Sequence, residues 1–273
     1  MTTACYVGVA GKARKVKKIY TGVANKARKV KKAYVGVGGV ARPFYSAEQK
    51  LEYYGTVTPL SRARGQLAAT TVGNYGLFGG GNAGSLVDAY SASLVRSNPT
   101  ALGQGRSDLA ATTVGNYGLF GGGGDYPTVD AYSASLVRSN PTPLSLGRYS
   151  LAATTVGNYG LFGGGRYTDR KTKRSTNRVD AYNASLVRSN PTGLNDFCYG
   201  LAATSVGGYG LFGGGYMRAT VEAYSTSLVR STPTELSLAR YALAATTVGN
   251  YGLFGGGIFS GTAYATVDAY TVV

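Results

Sequence analysis

Five of the twelve acidic side chains, Asp88, Asp130, Asp180, Glu222 and Asp268, occupy one position of a recurring phrase, Val-Asp-Ala-Tyr or Val-Glu-Ala-Tyr. Four arginines, Arg64, Arg106, Arg148 and Arg240, recur at another. A group present once per repeat is expected to be a structural fixture rather than one of several copies of a catalytic residue. The chain has no histidine, so the commonest general base, metal ligand and triad member is missing. Its glycine runs follow a strand without opening a helix or carrying Gly-Lys-Ser/Thr, which argues against a phosphate loop. Cys5 and Cys198 are too few and too far apart for a disulfide framework or a zinc site. No catalytic residue, no metal site and no cofactor are expected.

The elements that hold these residues are set by repetition. The block LAATTVGNYGLFGGG starts at Leu67, Leu109, Leu151, Leu201 (as LAATSVGGYGLFGGG) and Leu243, with spacings of 42, 42, 50 and 42 residues. Each unit reads as four short strands: A (LAATTV), a tight Gly-Asn or Gly-Gly turn, B (YGLFGG), C (VDAYS) and D (LVRSNPT). A period of 40 to 50 with four strands and a glycine run after the second suits propeller blades, which bury their faces only by stacking. The expected class is all-β: a five-bladed propeller over residues 47–273, preceded by a small basic β-meander over residues 1–46.

The propeller part resembles kelch repeats. The resemblance lies in the glycine pairs beginning at Gly79, Gly121, Gly163, Gly213 and Gly255, in Tyr90, Tyr132, Tyr182, Tyr224 and Tyr270 of strand C, and in the four arginines before strand A. The kelch tryptophan of strand D is absent, and Cys198 stands where the fourth repeat's arginine would be. The copper chemistry of kelch-like oxidases needs a histidine, which this chain lacks.

Five A, B and C strands are followed by only four D strands. The fifth is expected upstream, where YYGTVTPLSRARGQL aligns with LVRSNPTPLSLGRYSL, setting Pro59 on Pro141 and Arg64 on Arg148. Residues 53–58 are thus expected to pair with VDAYTVV and close the ring, removing its free edges.

Strands A and B are nearly copied between repeats, and variation collects in the B–C loops and D–A connections. Alternating strand direction puts both sets at one end, where a binding surface on a rigid scaffold is expected. Its candidates are Tyr126, Tyr149, Tyr167, Arg166, Arg170, Lys171, Arg174, Phe197, Tyr199, Tyr216, Arg218, Tyr241, Phe259 and Tyr264. Tyrosine with arginine is typical of contact surfaces. The alternative is loop drift, with the basic loop at 166–178 merely solvated.

The net charge of +16 is uneven: residues 1–47 hold eleven Lys or Arg and no acid. This arm has a 14-residue period starting at Tyr6, Tyr20 and Tyr34. YVGV reads as a strand, AGKA or ANKA as a turn, and RKVKK as a return strand with Val16 and Val30 as apolar members. Three readings stand: docking or self-assembly, a nucleic-acid contact or nuclear import signal, and a solvated tail. The pattern resembles N-terminal repeats of phage and prophage structural proteins, often tail-associated. That resemblance implies a docking arm through Tyr6, Lys12, Arg14, Lys15, Tyr20, Lys26, Arg28, Lys29 and Tyr34, with other virion proteins as partners and nucleic acid unlikely.

No apolar run approaches the roughly 20 residues of a membrane span, and the first residues lack the order of a secretory signal. The resemblances together imply a virion protein of tail fibre, baseplate or head decoration, oligomeric on the particle. Its propeller would bind a host-surface glycan or protein. The competing expectation is an intracellular kelch-type adaptor whose basic arm contacts nucleic acid.

Overall fold

The structure, a computed structural model, describes residues 6–9, 12–15, 20–23, 26–30, 32–37, 40–46 and 53–272. Among these residues every regular element is a β-strand, and no helix is long and apolar enough to cross a membrane. The chain divides into two compact units, 1–56 and 57–273, a little beyond the shift in composition.

The first unit contains three hairpins: Tyr6–Val9 with Lys12–Lys15, Tyr20–Val23 with Lys26–Lys29, and Lys32–Val37 with Val40–Ser46. Among the described residues each is a two-stranded sheet of its own. Val9 stands opposite Lys12 and Val23 opposite Lys26, so the return strand is Lys-Ala-Arg-Lys and begins inside the stretch assigned to the turn. A two-residue connection is all that a tight hairpin requires. Val30 lies just past its strand, and Val16 lies outside the described residues. All nine arm residues expected to dock fall in these strands, with Tyr6 opposite Lys15 and Tyr20 opposite Lys29.

The second unit is a row of antiparallel sheets, one per repeat. The first comprises Ala68–Val72, Tyr75–Gly79, Val87–Ser91 and Arg96–Ser97. The second has Ala110–Val114, Tyr117–Gly121, Val129–Ser133 and Arg138–Ser139. The third has Ala152–Val156, Tyr159–Gly163, Val179–Asn183 and Arg188–Ser189. The fourth has Ala202–Val206, Tyr209–Gly213, Val221–Tyr224 and Arg230–Ser231. The fifth stops at three strands, Ala244–Val248, Tyr251–Gly255 and Val267–Tyr270. Strands A, B and C sit where the sequence put them, whereas D shrinks to two residues. In the first sheet the Ser91 N–H donates to Val95 and the Leu94 N–H to Ser91, a turn that consumes the start of LVRSNPT. Asn98 then sends its amide to Asp88 instead of continuing the ladder.

Because side chains alternate across a strand, each sheet has two different faces. On the forward face of the first sheet, Val72, Leu77, Val87 and Ala89 are buried in one cluster with Phe120, Tyr132 and Leu109 of the second. The same arrangement recurs at the next three seams. Each seam has a seat. A Cβ on Gly79, Gly121, Gly163 or Gly213 would lie 2.7 Å from the ring of Phe120, Phe162, Phe212 or Phe254, so only glycine admits the next sheet's phenylalanine. Behind it a tyrosine packs edge-on, as Tyr132 does on Phe120 with ring centroids 5.9 Å apart. Its hydroxyl donates to the carbonyl of Thr100, as Tyr182 donates to Thr142.

A strands of consecutive sheets adjoin, and threonines stitch them together: Thr70 meets Thr113 and Thr112 meets Thr155, each at 2.9 Å between hydroxyls. At the start of strand A a second line runs along the row. The N–H groups of Asp108, Ser150, Gly200 and Ala242 donate to the carbonyls of Gln66, Asp108, Ser150 and Gly200.

Among the described residues there is no closing strand. Residues 53–58 form no strand, Tyr53 is 85% exposed, and the fifth sheet has no fourth member. Such a strand needs the first and fifth sheets to be neighbours. Instead the fifth sheet's forward face is open, with Val248 58% and Val267 60% exposed. The upstream alignment is also off by two. Tyr90 donates to the Thr58 carbonyl and Arg96 to that of Pro59, as Tyr182 and Arg188 do to Thr142 and Pro143, so Pro59 matches Pro143 and not Pro141.

Candidate functional site

The recurring acids and arginines meet inside the sheets. Arg64 lies 2.8 Å from Asp88, Arg106 2.6 Å from Asp130, Arg148 2.8 Å from Asp180 and Arg240 2.5 Å from Asp268. The arginines also donate to the carbonyls of Phe78, Phe120, Phe162 and Phe254 in strand B. Asp130 further accepts the Gly103 N–H and the Asn140 amide. Each pair therefore ties a D–A connection to strands B and C, and its oxygens are spent on that task.

The pairs do not share one electrostatic balance. Burial would raise the Asp88 carboxyl, but hydrogen bonds from Ser61, Arg64 and Asn98 outweigh it and the group is held below the usual range. Asp268 is lowered in the same way, burial being outweighed by Arg240 and Ser237. In the fourth repeat Cys198 takes the arginine's place. Burial, opposed chiefly by the Asn195 N–H at 2.7 Å, pushes Glu222 up, its nearest cation being Arg230 at 3.5 Å. Burial, with Glu222 adding to it, pushes the Cys198 thiol up to about 12.

The B–C loops and D–A connections do lie at one end and are bonded to each other. Tyr149 and Arg166 exchange both backbone hydrogen bonds, as do Tyr241 and Ile258, and Thr176 bridges Cys198. The 166–178 segment, expected as an open basic loop, is mostly a hairpin of Arg166–Asp169 against Thr172–Ser175. Arg170 and Lys171 form its tip, both with positive φ, and Arg174 pairs with Asp169 at 3.2 Å in solvent. A second, smaller hairpin joins Ile258–Phe259 to Thr262–Ala263.

Four of the candidates come together in a row. The Arg166 guanidinium lies 4.2 Å from the centre of the Tyr199 ring. Tyr199 stacks on Tyr216 with centroids 5.2 Å apart and planes 16° from parallel, and Tyr216 meets Tyr241 at 5.5 Å. The row crosses the seams between the third, fourth and fifth repeats. It is fixed by backbone bonds rather than by long side chains: the Tyr216 N–H donates to Tyr199, and Tyr241 is bridged to Ile258. Burial raises the Tyr199 hydroxyl, with Arg166 opposing it. Tyr216 is the exposed member, at 46%.

The other candidates stand outside this row. Tyr149 adjoins it through Arg166, and Tyr167 lies on the same hairpin. Arg218 pairs with Asp196 at 3.6 Å, beside the exposed Phe197. Tyr126 belongs to the second sheet's loop, and Phe259 and Tyr264 to the fifth's.

One feature of this end had no signal in the sequence comparison. A shallow recess is walled just before strand A by residues of every repeat, among them Leu67, Leu109, Leu151 and Leu201, with Ala242 from the fifth. Four of these are the invariant first letter of the repeated block, so a search for variation passes over them. Constancy is the clue: identical positions in stacked repeats are brought to one place.

The chain matches no protein-family model and no curated protein.

Proposed function

We propose that the protein is a phage virion component that anchors through its basic first unit and binds a host-surface glycan or protein with its five-sheet unit. The five sheets are read as kelch-like propeller blades. The observation that carries this reading is the row of Arg166, Tyr199, Tyr216 and Tyr241 on the variable end. Aromatic rings with an arginine, held on backbone that is itself hydrogen-bonded, make a surface suited to contact with little entropy to lose. The repeated acids are committed to buried ion pairs, which supports a binder over an enzyme. The arm's density of Lys and Arg in tyrosine-marked hairpins supports docking on a particle.

Sedimentation with purified particles tests the anchor. Co-sedimentation is expected, and a protein absent from particles points instead to an intracellular adaptor. Adsorption of the isolated protein to host cell walls tests the binding end. Replacing Tyr216 by Ala is expected to weaken adsorption by about tenfold or more, the cost of a contact aromatic. Turnover of a cell-wall glycan by the protein would overturn the non-enzymatic reading.

A further inference from the structure

The seams within the second unit are four copies of one asymmetric interface, and the unit ends on an unused half at each side. Every forward face offers Val, Leu, Val and Ala around a glycine seat, and every back face brings a Phe and a Tyr to fill it. On the fifth sheet the seat is empty. A Cβ on Gly255 would meet no residue of another sheet, and Val248, Val267 and Ala269 around it are exposed. On the first sheet Phe78 and Tyr90 keep their edge-on pairing at 5.9 Å but are only half-buried, with Ala69 exposed beside them. The threonine stitches Thr70–Thr113, Thr112–Thr155 and Thr204–Thr247 have no counterpart at Thr246 or Thr71, and the seam between Thr154 and Ser205 goes without one as well. The backbone line along the A strands begins at the Gln66 carbonyl and ends at the Ala242 N–H.

We propose that these two faces join different copies of the chain, the first sheet of one molecule seating Phe78 on Gly255 of the next. The occupant is argued from the molecule itself. Among the described residues, the one uncovered surface that carries the Phe-Tyr-Ala back face in complementary form is the chain's own first sheet. Within the same molecule the two faces do not meet: no ring lies against Gly255, and Phe78 stays half-buried. A second copy would supply the complementary half while leaving the four close-packed seams as they are. The contact is head-to-tail, so it has two unlike halves and propagates until it closes on itself or is capped.

The unlike halves give the test. Sedimentation equilibrium of the full chain is expected to show an average mass that rises with concentration to at least twice the monomer's. Val267→Asp spoils the forward half and Ala69→Asp the back half, each at a residue exposed in the single chain. Each change is expected to weaken self-association roughly 100-fold, because association would bury an unpaired carboxylate. A cooperative thermal transition at the wild-type temperature verifies that both variants fold. Mixed one to one, the two variants are expected to form a dimer, since each supplies the half the other lacks. A wild type that stays monomeric at every concentration overturns the proposal and points to closure within one chain. Variants that associate as well as wild type, or a mixture that stays monomeric, overturn it equally.

Discussion

The third and fifth sheets are built from the same words, Ala-Ala-Thr-Thr-Val and Tyr-Gly-Leu-Phe-Gly, yet they live in different solvents. Val156 is 2% exposed and Val248, its counterpart, 58%. Nothing in the residue or its own strand decides this; the neighbouring sheet does. In a stacked array a residue's energetic weight therefore belongs to the seam and not to the sheet, and end sheets carry only half their sequence's potential.

The comparison can be broken most forcefully at the rings. Phe162→Ala empties a fully buried seat between the second and third sheets and is expected to cost about 3–5 kcal/mol in urea unfolding. Phe78→Ala, the same letter on the uncovered back face, is expected to cost less than half as much in the monomer. Equal losses would show that the first face is covered after all. Next in size, Arg148→Ala strands the buried Asp180 and is expected to destabilise by roughly 3 kcal/mol, the range for an uncompensated buried charge.

A third test uses pH to set the fourth repeat against its neighbours. Asp88 is lowered in the folded state, so its contribution is present above its unfolded value of 3.8 and is lost as pH falls through the folded value. Glu222 is raised, so its contribution is fully present below its unfolded value of 4.5 and is lost as pH rises through the folded one. Glu222→Gln is therefore expected to melt above wild type at neutral pH, with the gap shrinking as pH falls towards 4.5. A gap independent of pH would remove the argument. The smallest effect is expected at the open face: Val248→Thr should leave monomer stability within about 0.5 kcal/mol, where Val156→Thr should not.

Much of this was legible from the sequence because the repeat writes the same local instructions five times. Strands A to C, the two-residue A–B turn and the structural duty of Asp130 or Asp180 all follow from residues close in sequence. What escaped depends on partners. Strand D is shorter than its pattern implies because Leu94 enters a left-handed turn and Asn98 is drawn to Asp88, neither of which apolar patterning reveals. The hairpin around Arg170 looked like a solvated basic loop, since its pairing rests on backbone and not on side-chain hydrophobicity. Ring closure rests on a fifth D strand, and counting repeats does not tell whether residues 53–58 form one. At the variable end the tyrosines were visible as types. Their union across three repeats depended on loops of different lengths meeting in space, so only the structure joined Tyr199 to Tyr216 and Tyr241.

Cys198 gives the third seam a clock. Its thiol is buried beside Gly164, in the cluster that also holds Leu201, Phe212 and Tyr224, and with its ionisation pushed up to about 12 it is almost wholly protonated near neutrality. An alkylating reagent can meet it only when the third and fourth sheets part. In a chain with Cys5 changed to Ser, the rate of modification divided by that of a free thiol measures how often this one joint opens while the rest of the row stays folded. The residue that broke the arginine pattern thus times the breathing of a single seam.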